Sequence, residues 1–165
     1  MTHSNSTTAL FVRESDSYRE ATEGELVGAA RRALAKRCRA GRSLHSPGAT
    51  RDYLTIAMAG LEHEVFVLIL LNTRHQILSI EELFRGTIGG ASVHPREVVK
   101  SALRSNAAAI ICAHNHPSGI AEPSNADEII TTRLKDALAL IEVRLLDHLI
   151  IAGEKVYSFA EHGLL

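Results

Sequence analysis

The chain has 165 residues, 45% apolar and 22% charged, and its 18 basic and 19 acidic side chains leave a net charge of −1. This composition is that of an ordinary folded domain, and it excludes a disordered or fibrous chain and a global attraction to nucleic acid or acidic membranes. The longest apolar run, at 65–71, has seven residues, far below the ~20 that a membrane-crossing helix needs. The amino terminus lacks the features of a secretory signal, and Cys38 and Cys112 make no disulfide framework, so we expect a cytoplasmic protein.

Polarity and periodicity divide the chain into a flexible tail, a helical amino-terminal segment and a main domain, at residues 1–20, 21–45 and 46–165. The first segment is polar and unpatterned, which is typical of a loose tail. A helix is predicted from about Glu23 to Ala40. A second helix is predicted to run to about Gly60, because Ser46 and Pro47 are a preferred N-cap and first-turn pair.

A basic stretch at 31–42 contains six Lys and Arg residues and no acidic residue. It could be the solvated, basic carboxyl end of the first helix, or a surface for a protein partner. It could also contact the phosphates of a nucleic acid, through Arg31, Arg32, Arg37 and Arg39. The absence of aromatic residues from 19 to 52 favours the solvated helix, because no side chain there could stack on bases.

The main domain alternates strands and helices. The apolar run 65–71 predicts a strand covered on both faces, and 77–84 predicts its hairpin partner, followed by a Gly-rich connection at 86–90. A helix is predicted from His94 and Pro95 to about Ser105. The remaining predicted elements are a buried strand, a helix after Ser124 and two further strands, at 107–114, 125–141, 143–152 and 155–160. These elements indicate an α/β fold with a mixed β-sheet flanked by helices.

The stretch AHNHPSGIAEPSNAD at 113–127 carries the chemistry. Residues i and i+2 of a strand point to the same face, so His114 and His116 can converge on one point. Ser124 opens the next helix and places Asp127 in its first turn. Two imidazoles and one carboxylate are a ligand set for a hydrolytic zinc ion, with the fourth position left for water.

Each of these residues also has a structural explanation. Ser124 and Asp127 fit the N-cap and N3 positions of a helix, so capping alone could account for both. A single histidine at a strand end is more often a hydrogen-bonding residue than a ligand. The same-face pair of His114 and His116, together with Asp127, favours the metal site.

The pattern of His-x-His, seven residues, Ser, two residues and Asp resembles the JAMM metal motif of the JAB/MPN metallo-isopeptidases. The flanking sequences NAAAIICAHNHPSG, VHPREVVKSAL, LLDHLII and SFAEHG resemble those of RadC-type proteins, in particular the short RadC-like form. The resemblance covers about residues 50–165. Residues 1–50 offer no convincing version of the helix-hairpin-helix region found in full-length RadC, so a DNA-binding role that depends on that region is not implied for this chain; the DNA-repair role associated with the family stays as an alternative.

The resemblance implies a JAB/MPN fold, with a layout like that of cytidine deaminases, and one zinc ion per chain held by His114, His116 and Asp127. It also implies a glutamate at the entrance of the central strand as general acid and base. Glu64 is the preferred residue and Glu62 the alternative, whereas His63 should point away. Ser124 would hydrogen-bond the oxyanion or the attacking water. The substrate would be a peptide or protein, and the sequence leaves a homo-oligomer open.

Other catalytic patterns fail at particular positions. His63 and Glu64 begin a His-Glu-x-x-His motif, but Val67 stands where the second histidine is needed. A nucleoside deaminase needs His-x-Glu and two nearby cysteines, and Cys112 stands alone. The sequence contains neither the Gly-x-Ser-x-Gly elbow of serine hydrolases nor a Gly-x4-Gly-Lys phosphate loop.

Asp147 and His148 are adjacent in an apolar strand and should face opposite sides of the sheet. They could form a buried hydrogen-bonded pair or support the metal ligands. His45, His75, His94 and His162 carry no spacing signal. Three functions follow for comparison: a zinc hydrolase of amide or isopeptide bonds, a nucleic-acid-associated accessory protein without peptidase activity, and an inactive scaffold, which the complete ligand set disfavours.

Overall fold

The computed structural model describes residues 9–37, 47–86 and 93–165. In these ranges the strands are β1 (Phe11–Glu14), β2 (Ser17–Glu20), β3 (Val65–Leu71), β4 (Ile77–Arg85), β5 (Ala109–Asn115), β6 (Arg144–Ala152) and β7 (Lys155–Ser158). The helices are α1 (Glu23–Arg37), α2 (Pro47–Met58), α3 (Pro95–Arg104) and α4 (Asn125–Ala139).

Five strands form the main sheet in the order β4-β3-β5-β6-β7. β5 and β6 are parallel and joined by α4, and the other neighbours are antiparallel. The predicted mixed sheet is therefore confirmed. β3 and β5 lie at the interior of the sheet and are buried on both faces, which explains why their sequences are continuous apolar runs rather than alternating ones.

Helices cover both faces of this sheet. On one face α3 and α4 pack against alternate strand residues, among them Phe66, Leu68, Ile110 and Cys112. On the opposite face α2 contributes Leu54 and Met58 to a second cluster, with strand residues that include Ile69, Ala113 and Leu149. The helices and the sheet form three layers, and the predicted site lies where β5 ends and α4 begins.

The loose tail predicted over residues 1–20 is wrong for its second half. β1 and β2 form an antiparallel hairpin around Ser15 and Asp16. Arg19 joins it to α1, since its guanidinium contacts the Glu14 carboxylate at 2.7 Å and the Glu25 carboxylate at 2.7 Å. Both faces of the hairpin are largely exposed, so its sequence lacks the apolar alternation by which a half-buried strand is recognised.

The basic stretch begins inside α1. Arg31 donates hydrogen bonds to the carbonyl oxygens of Ile56 and Ala59, at 3.0 and 2.6 Å, and so satisfies acceptors at the carboxyl end of α2. Arg32 is exposed. Arg39 lies outside the described residues, as do the predicted helix end at Ala40, the predicted cap at Ser46 and most of the 86–90 connection. The phosphate-contact interpretation therefore remains a prediction, with Arg31 already bonded within the fold.

Cys112 is fully buried in the core, and burial raises the pKa of its thiol well above the usual range. A thiol in that state is unreactive. None of the helices in the described ranges has the length and apolar character needed to span a membrane. The cytoplasmic location remains a prediction.

Candidate metal centre

Three predicted ligands come together at the carboxyl end of β5. The Nε2 atoms of His114 and His116 lie 2.9 Å apart. The Asp127 carboxylate approaches both rings, with Oδ1 3.1 Å from His114 Nε2 and Oδ2 3.5 Å from His116 Nε2. The described chain contains one such group of candidate ligands, and its ligand atoms all lie within 4.8 Å of one another. The three residues could therefore hold a metal ion.

The backbone explains how the two imidazoles share a face. β5 ends at Asn115, but the His116 amide still donates to the Ile151 carbonyl at 2.8 Å, which continues the ladder with β6 for one more residue. The chain then turns through Gly119, whose φ of 77° is accessible to glycine without strain. α4 begins after Ser124 and returns Asp127 to the end of the strand.

The hydrogen bonds of His116 leave its Nε2 available to a cation. Its Nδ1 donates to the Ile120 carbonyl at 2.8 Å, so Nε2 carries the lone pair in the neutral ring. That lone pair faces His114 and a carboxylate, and such a group of acceptors requires a proton or a metal ion among them. Zinc held tetrahedrally at 2.0–2.1 Å separates its ligand atoms by about 3.3 Å, which is close to the observed 2.9–3.5 Å.

The electrostatics of the group agree with a cation site. Burial would raise the pKa of the Asp127 carboxyl, but hydrogen bonds from the two neighbouring imidazoles in their protonated form outweigh it and hold that pKa well below its usual range. The Asp127 carboxylate in turn raises the pKa of His116. A negative charge is thus fixed at the amino terminus of α4, where the helix dipole also favours it.

Ser124 and Asp127 form a complete capping box. The Ser124 hydroxyl donates to Asp127 Oδ2 at 2.6 Å and accepts from the Asp127 amide at 3.2 Å, while the Ser124 amide donates to the same carboxylate at 2.8 Å. The capping interpretation is therefore confirmed. Ser124 is also exposed.

Glu64 lies on the border of a cavity of about 160 Å³ together with His114 and Asp127. The remaining lining is apolar and comes from Phe66, Val93, Ala126 and Ile130. Glu62 is exposed and does not line this cavity. The structure therefore places Glu64, rather than Glu62, beside the predicted ligands.

Asn115, between the two histidines, is a site residue that the sequence analysis missed. Its side chain is buried; Oδ1 accepts from the Val65 amide at 2.8 Å, and Nδ2 donates to the His63 carbonyl at 3.0 Å. These bonds hold the backbone on both sides of Glu64 against the end of β5. The sequence signal for Asn115 is its position between the two predicted ligand histidines, because a buried polar residue there needs hydrogen-bond partners.

Asp147 and His148 face opposite sides of the sheet, as expected, but they do not form a side-chain pair. Asp147 accepts from the His148 amide, the Ser158 hydroxyl and the Ala160 amide, which anchors the chain after β7. The His148 ring instead contacts His114, with its Nε2 2.8 Å from His114 Nδ1. His148 therefore supports a predicted metal ligand, as one of the two interpretations expected. The other interpretation, a hydrogen-bonded pair of the Asp147 and His148 side chains, is wrong.

His148 is wholly buried, and this burial lowers the pKa of its ring well below the usual range. Its Nδ1 lies 2.6 Å from the Thr131 hydroxyl, which itself lies 2.5 Å from the Asp127 carbonyl. A chain of contacts thus runs from one ligand residue to another through β6 and α4. His75, His94 and His162 lie outside the ligand group, and His45 lies outside the described residues.

A larger cavity of about 320 Å³ lies on the opposite face of the sheet, beside α2. Arg51, Asp147 and Glu161 border it, and Arg51 and Glu161 form an ion pair. It contains none of the predicted ligands or catalytic residues. The chemistry is therefore concentrated at the smaller cavity.

Comparison with known proteins gives one consistent result. The family model described as the RadC-like JAB domain matches residues 44–164. UPF0758 proteins of Nitrosomonas eutropha, Methylibium petroleiphilum and Thiobacillus denitrificans are 57%, 58% and 55% identical over 136 residues, or 82% of this chain. The matched part is 61% of each relative, so the chain spans less than two thirds of their length.

Proposed function

The chain belongs to the RadC-like JAB domain family, and from this premise we propose that it is a zinc-dependent hydrolase of amide or isopeptide bonds in a peptide or protein. One observation carries the proposal. His114, His116 and Asp127 converge within 4.8 Å, and Glu64 borders the same cavity as two of them. A ligand set beside a carboxylate that could transfer protons is the arrangement that metal-assisted hydrolysis requires.

The donor set suits zinc in a catalytic role. Two imidazole nitrogens and one carboxylate oxygen leave one position of a tetrahedral ion for solvent or substrate. Zinc bound there would polarise the substrate carbonyl and lower the pKa of a water molecule, so that the water can lose a proton and attack the carbonyl at neutral pH.

Glu64 would act as the general base and then the general acid. It would accept a proton from the attacking water and deliver it to the leaving amine, a role that typically contributes about 10²- to 10⁴-fold to the rate. Asn115 positions the backbone on both sides of Glu64. Ser124 is exposed and contacts Asp127, and its hydroxyl would bond the oxyanion in exchange for that contact.

The cavity beside the ligands suggests the kind of group it accepts. Its apolar lining and its volume of about 160 Å³ suit a small apolar side chain next to the scissile bond. An anionic group would lose its hydration there and would lie near the Glu64 and Asp127 carboxylates. We therefore expect small apolar residues to be preferred over acidic ones at that position of the substrate.

Two other functions remain for comparison. The nucleic-acid-associated function depends on the basic stretch, where Arg31 is already bonded to α2. The convergence of the three proposed ligands, with Glu64 on the same cavity, argues against the inactive-scaffold function. Neither alternative has a contact in the described residues that favours it over hydrolysis.

The decisive experiment compares the wild-type chain with Glu64→Gln on a panel of peptide and isopeptide substrates. We expect both proteins to bind one zinc ion per chain and only the wild type to cleave. Glu62→Gln is the matched control and should keep full activity, because Glu62 is exposed outside the cavity. Equal cleavage by wild type and Glu64→Gln would refute the proposed role of Glu64, and a wild type without zinc would refute the proposed function.

A further inference from the structure

We propose that His148 and Thr131 are positioning residues which fix the tautomer of His114, so that its Nε2 lone pair is directed at the metal position. Neither residue touches the ligand atoms that would bind the ion. They act through the Nδ1 side of His114, where His148 Nε2 lies 2.8 Å away. The inference rests on the proposed metal site and concerns how this chain prepares it.

The direction of this series of hydrogen bonds is set at Thr131. Its Oγ1 lies 2.5 Å from the Asp127 carbonyl oxygen and 2.6 Å from His148 Nδ1. A carbonyl oxygen can only accept, so the single hydroxyl proton must point to Asp127. The hydroxyl oxygen is then left to accept, and His148 Nδ1 must carry a proton and donate it to Thr131.

The other nitrogen of His148 follows from its surroundings. The ring is 0% exposed and lies against two aromatic rings, stacked on Phe159 at 5.0 Å and edge-on to Phe66 at 5.5 Å. A buried ring in apolar surroundings is neutral, because a charge there would lose its hydration. With Nδ1 protonated, the neutral ring has a bare Nε2, which can only accept a hydrogen bond.

His114 must therefore donate from its Nδ1, and a neutral imidazole that donates there carries its lone pair on Nε2. That atom is the one that lies 2.9 Å from His116 Nε2 and 3.1 Å from Asp127. The series of hydrogen bonds ends at Asp127, because the Asp127 carbonyl accepts from Thr131. Two ligand residues from different elements are thus held by one directed series of hydrogen bonds.

The test uses the 165-residue chain and three variants, each with one substitution. Thr131→Val keeps the volume of the side chain and removes the hydroxyl, Thr131→Ser keeps the hydroxyl, and Thr132→Val is the matched control. Thr132 makes the same kind of bond one residue along, to the Glu128 carbonyl at 3.1 Å, but is exposed. Zinc affinity is measured by competition with a chromophoric chelator, and the His148 tautomer by ¹⁵N chemical shifts of the imidazole nitrogens.

We expect wild-type His148 to carry its proton on Nδ1, and Thr131→Val to weaken zinc binding roughly 10- to 100-fold. Thr131→Ser and Thr132→Val should stay within about threefold of the wild type. Zinc affinity that depends on Thr131 would support the inference even if no peptide is cleaved.

A wild-type His148 protonated on Nε2 would overturn the inference, and this measurement needs no variant to fold. Unchanged zinc affinity in a folded Thr131→Val protein would overturn it as well. The proposed function is tested separately, by cleavage in the wild type and its loss in Glu64→Gln.

Discussion

The Asn115 side chain is bonded to the Val65 amide across fifty residues of sequence, with Oδ1 2.8 Å from the amide nitrogen. Together with the bond from Asn115 Nδ2 to the His63 carbonyl, it fixes the entrance of β3. Asn115→Ala leaves both backbone groups without this partner, at a cost of about 1–3 kcal/mol each. We expect a lower free energy of unfolding in urea and reduced turnover with zinc stoichiometry unchanged.

The control for that variant is Asn125→Ala, which truncates an exposed asparagine at the start of α4. It should retain both stability and turnover. If Asn115→Ala lost zinc as well, Asn115 would support the ligands themselves and not only the backbone around Glu64.

Removal of one imidazole should empty the metal site. His116→Ala deletes a donor that lies 2.9 Å from its neighbour, so zinc content measured by atomic emission should fall from about one ion per chain to nearly none. His162→Ala is the control, because His162 is exposed and outside the ligand group. Full zinc content in His116→Ala would contradict the assignment of the ligands.

Acid should weaken the contact between β4 and α3. Glu81 on β4 accepts from the Ser101 hydroxyl at 2.5 Å and from Arg104 at 3.1 Å, both on α3. Burial raises the pKa of the Glu81 carboxyl, but these bonds and the one from Ser79 outweigh it, and the net pKa is lowered.

A folded-state pKa below the unfolded one contributes stability at neutral pH that is lost as pH falls through the folded value. The difference in unfolding free energy between wild type and Glu81→Gln should therefore be larger at pH 7 than at pH 3, as measured by urea titration. Ser101→Ala should cost up to about 1.5 kcal/mol at pH 7, because a partly buried bond to a charged group is lost. Glu82→Gln removes an exposed ion pair with Arg85 and should change the free energy of unfolding little. A difference between wild type and Glu81→Gln that is the same at pH 7 and pH 3 would contradict this account.

The arginines of α1 should separate structural from binding roles. Arg31→Ala removes two bonds to the end of α2 and should lower the free energy of unfolding by about 1–3 kcal/mol, whereas Arg32→Ala should leave it nearly unchanged. Thermal or urea unfolding distinguishes them. DNA binding at low salt that weakens in Arg32→Ala would support the nucleic-acid alternative, and no binding at low salt would dismiss it.

The sequence predicted the core of the fold because burial leaves a strong pattern. The run at 65–71 is β3 as predicted, and 107–114 differs from β5 by only a few residues at its ends. The convergence of His114, His116 and Asp127 could also be predicted, since the i, i+2 relation and the position after an N-cap are local in sequence. The structure shows that they meet.

Other features could not be predicted because they depend on contacts between distant segments. The hairpin of β1 and β2 is held by backbone pairing and by Arg19, and almost none of it is buried. The roles of Asn115 and His148 depend on which strands are neighbours and in what register. Strand parity placed His148 opposite Asp147 but could not show that it faces His114.

Asp127 uses one carboxylate both to cap α4 and to face the two imidazoles. Oδ2 accepts from the Ser124 amide and hydroxyl and lies 3.5 Å from His116 Nε2, while Oδ1 faces His114. The first turn of α4 and a bound metal ion would thus stabilise each other through the Asp127 side chain. Binding of the ion should therefore make the start of the helix more stable. Amide hydrogens at 125–130 should exchange with solvent more slowly in the loaded protein, which would make the dynamics of a helix a reporter of an ion that it does not otherwise touch.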